Sequence, residues 1–413
     1  MKIVNFGSCN LDYVYKLDHI VAGGETEHSL TREVFPGGKG LNQSIAIARA
    51  GAKVCHAGCI GKDGEILRQV FTESGVDLTY LQTLEQPSGH AVIQVDGKGE
   101  NAIFICAGAN GCFTLPYVDR VLADFGEGDI LLLQNEINNN AYIIDKAYEK
   151  GMCILLNPSP IDEAIRKTDF GKISCLLLNQ IEGEALSGEK QPAKIIARFR
   201  ETYPRLKVVL TLGEKGCLYF DGSETVYQPA FAVETVDSTA AGDTFTGYFA
   251  ASLSMGLPSR KILEWASAAA ALAVSKKGAA PSIPRREEVA EALRQLTPRE
   301  SDGESRLSLQ KKRIDAYVAA HLQTADLKGL ASELGYSTVY AGTLCKKATG
   351  FSFSKYLMEK RCQAAAELLQ TGSLPVGEIV EKVGYCNQSY FRSAFREAYG
   401  VSPAAYRKMM KKK

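Results

Sequence analysis

The chain has 413 residues and carries nearly equal numbers of basic and acidic side chains, for a formal net charge of +1 at pH 7. Because a typical domain has roughly 150 residues, this length predicts more than one folded unit. The first ten residues, MKIVNFGSCN, contain no long apolar run, so we expect neither a secretory signal nor a membrane span. The eleven cysteines are scattered and include no CxxC pair, which favours reduced thiols in the cytoplasm.

The small net charge hides an asymmetry between the two ends of the chain. Residues 305–413 contain 18 Lys and Arg against 8 Asp and Glu, a net charge of +10, whereas the preceding residues have a net charge of −9. A basic region on an acidic body predicts a polyanionic partner such as nucleic acid. A solvated basic surface without such a partner is equally compatible with the charge alone.

Residues 296–310, LTPRESDGESRLSLQ, lose the apolar periodicity of their neighbours and accumulate Pro, Gly, Ser and charge. We interpret residues 297–309 as a linker between one domain over residues 1–296 and another over residues 310–413. In the first domain, apolar runs such as ILLLQNE, CILLNPS, CLLLNQ and VVLTLG alternate with helical stretches, which predicts a parallel sheet covered by helices. HAVIQVD and NAIFIC flank DGKGE and predict a hairpin outside that sheet. After residue 310 the pattern is helical throughout.

Two glycine-containing segments could bind a ligand. In FPGGKGLNQSIAIARAG, residues 36–40 predict a loop before an amphipathic helix, where the glycines admit a ligand and Lys39 supplies a donor. A tight turn explains this segment as well. In TVDSTAAGDTFTGYFAASLSMG, a helix opening near Gly242 could hold a phosphoryl group on its N–H groups. Asp243 in the first turn either stabilises the helix or accepts a proton from an attacking hydroxyl.

Two further segments, NQIEGE at 179–184 and TLGEKG at 211–216, each follow an apolar strand. They therefore lie at the edge where open α/β sheets bind ligands, although ordinary connecting turns explain each of them singly. Taken together and in this order, the four segments resemble the ribokinase (PfkB) family of carbohydrate kinases over residues 1–296. The resemblance implies an α/β fold, a three-layer α/β/α sandwich with a small β-sheet lid around residues 91–106. It also implies ATP as phosphoryl donor, Mg²⁺, a K⁺ activator and a homodimer paired through the lid.

The resemblance also assigns roles to individual residues. Sugar contacts fall to residues of GSCNLD, PGGKGLN and LLLQNEI, namely Asn10, Asp12, Gly38, Lys39, Gly40, Asn42 and Glu136. Asp243 becomes the catalytic base that also contacts the sugar, beside an anion hole of Ala240, Ala241 and Gly242. Nucleotide contacts fall to Asn179, Thr211, Leu212, Gly213, Glu214, Lys215, Gly216, Gly242 and Ser267, the last standing where ribokinases often have an asparagine. Glu182 acts on Mg²⁺ through water, and the K⁺ site comprises Asp237, Thr239, Ala273, Lys276, Gly278 and Ser282.

The basic C-terminal region contains an internal repeat at a spacing of about 50 residues. ASELGYSTVYAGTLCKKATGFSFSKYL and VEKVGYCNQSYFRSAFREAYGVSPAAYR each consist of a helical run, a Gly-Tyr turn and a second helix with polar and basic side chains. This is the pattern of a helix-turn-helix, and a double motif could enter successive major-groove segments of double-stranded DNA. A helical protein-interaction module is the alternative.

The second repeat resembles the AraC/XylS regulators, and the resemblance covers residues 310–413. It implies recognition helices over residues 337–348 and 387–398. Candidate base or phosphate contacts are Thr338, Tyr340, Thr343, Asn387, Gln388, Ser389 and Arg392, whereas Tyr390, Phe391 and Phe395 are expected in the core. Lys346, Lys347, Arg396 and residues 411–413 are expected near phosphates.

These resemblances predict an ATP-dependent sugar kinase, with ribose as the leading substrate, joined to a sequence-specific transcription regulator. Deoxyribose, another pentose or a nucleoside would need only small changes in the pocket. The alternative is a regulator that keeps the kinase fold only as a sugar sensor with negligible turnover. A kinase that uses the second domain only for localisation or assembly is disfavoured by the complete double motif.

Overall fold

The computed structural model describes residues 1–223, 225–298, 304–334, 336–371, 374–385 and 387–410. Backbone contacts divide the chain into two compact units, residues 1–299 and 300–413. The interpretation of residues 297–309 as a linker falls partly on residues 299–303, which lie outside the described residues. Helical structure begins at Glu304, six residues before the predicted start of the second domain. In the described part of the chain, no helix is both long and apolar enough to cross a membrane.

The first unit contains a large, mostly parallel sheet, a smaller mixed sheet of four strands and a two-stranded sheet formed by Cys59–Gly61 and Gln82–Leu84. Its strands are β1 Ile3–Phe6, β2 Asn10–Lys16, β3 Thr31–Gly37, β4 Val54–Ala57, β5 Cys59–Gly61, β6 Gln82–Leu84, β7 Gly89–Val95, β8 Asn101–Cys106, β9 Ile130–Gln134, β10 Cys153–Asn157, β11 Cys175–Asn179, β12 Lys207–Thr211, β13 Cys217–Phe220 and β14 Thr225–Gln228. Among the described residues the large sheet has the order β14-β13-β12-β11-β10-β9-β1-β4, in which β13 and β14 run antiparallel to their neighbours. The four apolar runs recognised in the sequence are the adjacent parallel strands β9 to β12.

Helices cover both faces of the large sheet. They are α1 Lys39–Arg49, α2 Glu65–Ser74, α3 Leu115–Leu122, α4 Asn140–Glu149, α5 Glu163–Arg166, α6 Gln180–Ser187, α7 Pro192–Thr202, α8 Ala241–Ser254, α9 Ser259–Val274 and α10 Arg286–Ala292. Because successive side chains of a strand point to opposite faces, Ile130 and Leu132 pack with α1, α8 and α9, whereas Leu131 and Leu133 pack with α3, α4 and α7. The predicted three-layer α/β/α sandwich is confirmed.

The smaller sheet has the order β3-β2-β7-β8 and lies outside the large one. Strands β7 and β8 pair antiparallel from His90 with Cys106 to Val95 with Asn101, as the hairpin prediction requires. The predicted loop over residues 36–40 is wrong in its extent. Pro36 and Gly37 complete β3, and α1 already starts at Lys39. Only Gly38 connects the two elements, and its φ of 94° is one that a glycine adopts without strain.

The second unit is helical. Its described helices are α11 Glu304–Ala320, α12 Leu327–Leu334, α13 Thr338–Thr349, α14 Phe353–Thr371, α15 Val376–Lys382, α16 Gln388–Tyr399 and α17 Pro403–Met410. They form two separate cores, one centred on α11 to α13 and the start of α14, the other on the rest of α14 and α15 to α17. The predicted double helix-turn-helix is confirmed as a fold.

Candidate active site and helix-turn-helix surface

The residues predicted to bind the sugar converge at the carboxyl ends of β1 and β9 and the start of α1. The ammonium group of Lys39 lies 2.9 Å from Oε1 of Glu136, and its backbone N–H donates to Oε2 of the same carboxylate at 3.0 Å. Ser8, which the sequence analysis missed, also donates its hydroxyl to Glu136. Burial disfavours the charged ammonium, but the attraction of Glu136 and Asp243 outweighs it and raises the pKa of Lys39.

Asp12 and Asn10 project from β2 toward this group. Burial, followed by repulsion from Glu136, raises the pKa of Asp12 to about 7. Its carboxylate lies over Gly37, where an added Cβ would come within 2.0 Å of it. The side-chain oxygen of Asn10 accepts a hydrogen bond of 2.8 Å from Asn110, which also bonds the backbone of Cys9. No sequence signal identified Asn110, because its partners lie about 100 residues away.

Gly40 has a packing role in this group. An added Cβ would come within 2.3 Å of the Ser8 nitrogen and 2.5 Å of the Gly7 Cα, so α1 can approach the end of β1 only with glycine here. Gly38 is similarly close to Asn10, whose backbone nitrogen would lie 3.1 Å from an added Cβ. These glycines therefore bring α1 and its first side chains to the edge of the sheet.

Asp243, in the first turn of α8, is buried and accepts hydrogen bonds at both carboxylate oxygens. Asn42 donates to Oδ2 and Gln43 to Oδ1, each at 2.9 Å. Burial raises the pKa of Asp243 to about 6, while Lys39 and the two amide donors oppose the rise. A carboxylate of this kind is ionised at neutral pH and basic enough to accept a proton.

The N-terminus of α8 lies beside Asp243. Ala240 occupies the N-cap position, and no side chain caps the helix there. Gly242 is exposed, and no atom lies within 4 Å of where its Cβ would be. Uncapped N–H groups at a helix start suit an anion, and here such a helix start lies next to a buried carboxylate.

A cavity of about 410 Å³ opens on the other side of this turn. Of the residues predicted to contact the nucleotide, Thr211, Gly213, Glu214, Gly216, Gly242 and Ser267 line it, while Leu212, Lys215 and Asn179 do not. Mostly apolar side chains complete the wall, including Phe231, Val233, Phe245 and Val274, which the sequence analysis did not select. The volume and the mostly apolar lining are typical of a small-molecule pocket.

Asn179 and Glu182 form a capping box at the start of α6. The Asn179 side chain accepts from the Glu182 N–H and the Glu182 carboxylate accepts from the Asn179 N–H, both at 2.9 Å. This arrangement satisfies helix-end donors, so the motif has a structural role whether or not it contacts a ligand.

The two segments predicted to hold a monovalent cation meet in space. The Asp237 carboxylate accepts from the Gly278 N–H at 2.9 Å and from both the N–H and the hydroxyl of Thr239. The side chain of Lys276 does not join this group but pairs with Glu288 at 2.8 Å. Ser282 donates to the Ala279 carbonyl, and Ala273 is buried at the end of α9.

The predicted recognition helices are α13 and α16, and their residues correspond at an offset of 50 positions. Ser337 caps α13 and Asn387 caps α16, each accepting backbone N–H groups. Asn387 is therefore engaged in its own helix. The other candidate contacts, which are exposed, are Thr338, Tyr340, Thr343, Lys346, Lys347, Gln388, Ser389, Arg392 and Arg396. Residues 411–413 lie outside the described residues.

Two findings on these helices differ from the sequence analysis. Phe391 and Phe395 are buried as predicted, but the prediction for Tyr390 is wrong, since this side chain is 62% exposed. Its position matches that of the exposed Tyr340, one residue before the core-facing position in each helix. Val339 was not selected from the sequence, although its apolar side chain is 81% exposed on α13.

The comparisons with known proteins agree with this geometry. The model of the pfkB family carbohydrate kinases matches residues 1–286, and a helix-turn-helix domain model matches residues 330–409. A ribokinase of Haemophilus influenzae is 34% identical over 297 residues, which cover 70% of this chain and 96% of that protein.

Solved structures give the same result. The Cryptococcus neoformans ribokinase in complex with ADP has a TM-score of 0.62 at 32% identity, over 70% of this chain and 99% of that one. The Arabidopsis thaliana ribokinase complexed with ribose and ATP has a TM-score of 0.63 at 29% identity, over 70% and 98%.

Together with the matching family model, a buried carboxylate beside an uncapped helix start and an adjoining cavity identifies the first unit as a phosphotransferase that acts on an alcohol. The chain belongs to the pfkB family of carbohydrate kinases. It is an ATP-dependent, ribokinase-like sugar kinase joined to an AraC-type helix-turn-helix domain.

Proposed function

We propose that this protein transfers the γ-phosphoryl group of ATP to the primary hydroxyl of ribose and binds specific DNA sequences to regulate genes of sugar metabolism. The observation that carries the kinase half is the position of Asp243. Its neighbours Ala241 and Gly242 line the cavity, while its carboxylate accepts hydrogen bonds from Asn42 and Gln43 on α1. The carboxylate thus separates a nucleotide cavity from a sugar-binding group.

In the proposed mechanism, Asp243 accepts the proton of the primary hydroxyl as the hydroxyl oxygen attacks the γ-phosphorus atom. Uncapped N–H groups at the start of α8 bind the transferring oxygens, whose negative charge grows as the bond to ADP breaks. Lys39 adds positive charge on the sugar side. The smaller sheet of strands β3, β2, β7 and β8, here called the lid sheet, covers the sugar and excludes water, which protects ATP from hydrolysis.

Asn10, Asp12, Asn42 and Glu136 supply most of the polar groups for the sugar hydroxyls. The side-chain oxygen of Asn42 is buried without a hydrogen-bond partner among the described residues, and an acceptor in that state suits a sugar hydroxyl. Ribose is the leading substrate because the residues of GSCNLD, PGGKGLN and Glu136 follow the ribokinase pattern. Deoxyribose lacks one hydroxyl and would leave one of these groups unpaired.

Two ions complete the proposal. The Asp237 carboxylate and the Thr239 hydroxyl lie next to the segment that contains Gly278, and oxygen ligands of this kind suit a hard monovalent cation such as K⁺. K⁺ bound there would fix the backbone that leads into the anion-binding turn. One carboxylate oxygen of Glu182 accepts from the Asn179 N–H, and its second oxygen would hold Mg²⁺ through water; Mg²⁺ would neutralise phosphate charge.

The DNA-binding half rests on the second unit. Two recognition helices present exposed polar and basic side chains, and residues 305–413 carry a net charge of +10. Such a surface suits the major groove and its phosphates. The ten described cysteines are free thiols, which suits the cytoplasm where such a regulator would act.

The lid sheet also suggests a homodimer. Ile103, Phe104 and Ile105 on the edge strand β8 are each more than half exposed, and Phe35 on the opposite edge strand is exposed as well. A second copy of the lid would cover this apolar surface and pair its free edge.

The test is ATP-dependent phosphorylation of a panel of pentoses, hexoses and nucleosides, with Mg²⁺ and K⁺, by the full chain and by Asp243→Asn. We expect turnover on ribose and a loss of roughly 10²-fold to 10⁴-fold in kcat for the variant. Tight sugar binding without turnover would overturn the kinase proposal and leave the alternative, a sugar-sensing regulator. A DNA-binding assay on the same preparations, with and without the sugar, tests the regulatory half independently.

A further inference from the structure

A chain of three buried side-chain amides runs behind Asp243, from β1 through β9 to α1. The Gln134 amide nitrogen donates to the Asn5 oxygen at 2.9 Å and to the Gln43 oxygen at 2.7 Å, and the Gln43 nitrogen donates to Asp243 at 2.9 Å. All three amides are at most 1% exposed. None of them touches the cavity or was selected from the sequence.

The contacts at both ends of this row of three amides fix the orientation of each amide group. Asn5 donates its nitrogen to the Gly40 carbonyl at 2.9 Å and to the Ser44 hydroxyl at 2.8 Å, so its oxygen must face Gln134. Gln134 then presents its nitrogen to Gln43, whose oxygen accepts it. The remaining group of Gln43 is the nitrogen, and it faces the carboxylate. A reversed Gln43 amide would set oxygen against oxygen at Asp243 and nitrogen against nitrogen at Gln134.

We propose that Gln43 is a positioning residue for this kinase reaction, holding Oδ1 of Asp243 so that Oδ2 faces the sugar, with its own orientation set by Gln134. The inference rests on the proposed role of Asp243 as the base. It differs from the role of Asn42, which also bonds the carboxylate but has a side-chain oxygen left for the substrate. Gln43 has no such group left, since its nitrogen also lies 3.2 Å from the Asn157 oxygen.

A pH profile can test the proposal because Gln43 donates to the ionised form of Asp243. The charged groups that act on this carboxylate are Lys39, which favours ionisation, and Glu136, which opposes it. Gln43→Met keeps the length of the side chain and removes the donor. Since the ionised form then loses a hydrogen bond, the acid limb of kcat should move to higher pH.

We expect Gln43→Met to lower kcat at pH 7 by roughly tenfold to hundredfold, as the loss of a hydrogen bond to a charged group implies. The KM for the sugar should change by less than about twofold, because the sugar contacts remain. Thr246→Val is the matched control, since it removes a buried hydroxyl from the helix that carries Asp243 without removing a bond to the carboxylate. It should leave both the kcat and the acid limb unchanged.

Gln134→Met tests the chain without altering any group bonded to Asp243. This variant should move the acid limb of kcat to higher pH, by a smaller shift than Gln43→Met. Because Gln134 acts through Gln43, the double variant should have the same kcat as Gln43→Met alone. Additive losses, or a Gln43→Met variant with an unchanged acid limb, would overturn the inference. The failure of the proposed function would look different, since Asp243→Asn would then retain full activity or the unmodified chain would have none.

Discussion

Lys39 and Glu136 are joined by two contacts, one through the Lys39 ammonium at 2.9 Å and one through its backbone N–H at 3.0 Å. The second contact is also a helix-end contact, because Lys39 is the first residue of α1. One carboxylate therefore anchors the start of the helix that carries Asn42 and Gln43, and it also sets the charge around Asp12 and Asp243. A substitution that removes the charge of Glu136 should therefore lower the pKa values of both Asp12 and Asp243.

Glu136→Gln should raise the KM for the sugar by roughly tenfold or more, through the loss of a charged hydrogen-bond acceptor. Because Glu136 raises the pKa of Asp243, its neutralisation should lower that pKa and move the acid limb of kcat to lower pH. This shift is opposite in sign to the one expected for Gln43→Met. Glu85→Gln, which alters an exposed pair with Lys62, is the control, and pH-dependent initial rates are the measurement.

Ala271→Leu should raise the KM for ATP roughly tenfold while leaving the KM for the sugar unchanged. Ala271 is buried in the wall of the cavity, so a larger side chain would occupy space that the nucleotide needs. Ala164→Leu, at an exposed position of α5, should change neither constant. A rise in the sugar KM alone would show that the cavity is not the nucleotide site.

Val339 should contact a thymine methyl group in the major groove. The full chain would first select a binding site from random duplex DNA, and deoxyuridine would then replace single thymines in that site. Loss of a contacted methyl should weaken binding about fourfold, from about 0.8 kcal/mol per buried methyl group, and Val339→Ala should reduce the difference. Equal affinity for every substituted duplex would contradict the role of Val339 without affecting DNA binding itself.

Phe104→Glu should convert the proposed homodimer to a monomer, as measured by light scattering of the full chain. The substitution places a charge on the exposed apolar edge of the lid, where a second copy would have to bury it. Tyr148→Glu, at an exposed aromatic side chain on α4, is the control and should leave the mass unchanged. A monomeric unmodified protein would contradict the dimer directly.

The sequence predicted those features that depend on short segments. Apolar runs gave β9 to β12, and the helix opening near Gly242 placed Asp243 in its first turn. Each of these patterns lies within one element, so local periodicity and helix-start composition were sufficient.

The hydrogen-bond partners of Asp243 could not be predicted from such local patterns. Gln43 lies 200 positions from Asp243, and Gln134 lies 91 positions from Gln43. One signal was present, since Asn42, Gln43 and Ser44 are consecutive polar residues in a helix segment whose neighbouring side chains are apolar. Buried polar groups require partners, but the sequence does not say which. Tyr390 was misplaced for a related reason, because its aromatic character indicated the core whereas its position on α16 faces outward.

The amide chain behind Asp243 has a consequence for proton traffic. Asn5, Gln134 and Gln43 carry no group that ionises near neutral pH. His56, reached through Ser44, is held neutral because burial lowers its pKa to about 3. The amides on the sheet side of the site therefore orient the carboxylate, and none of these groups can accept and pass on a proton near neutral pH. If Asp243 is the base, as proposed, these groups offer its proton no route through the sheet, so the proton would have to be released on the side where the substrates bind.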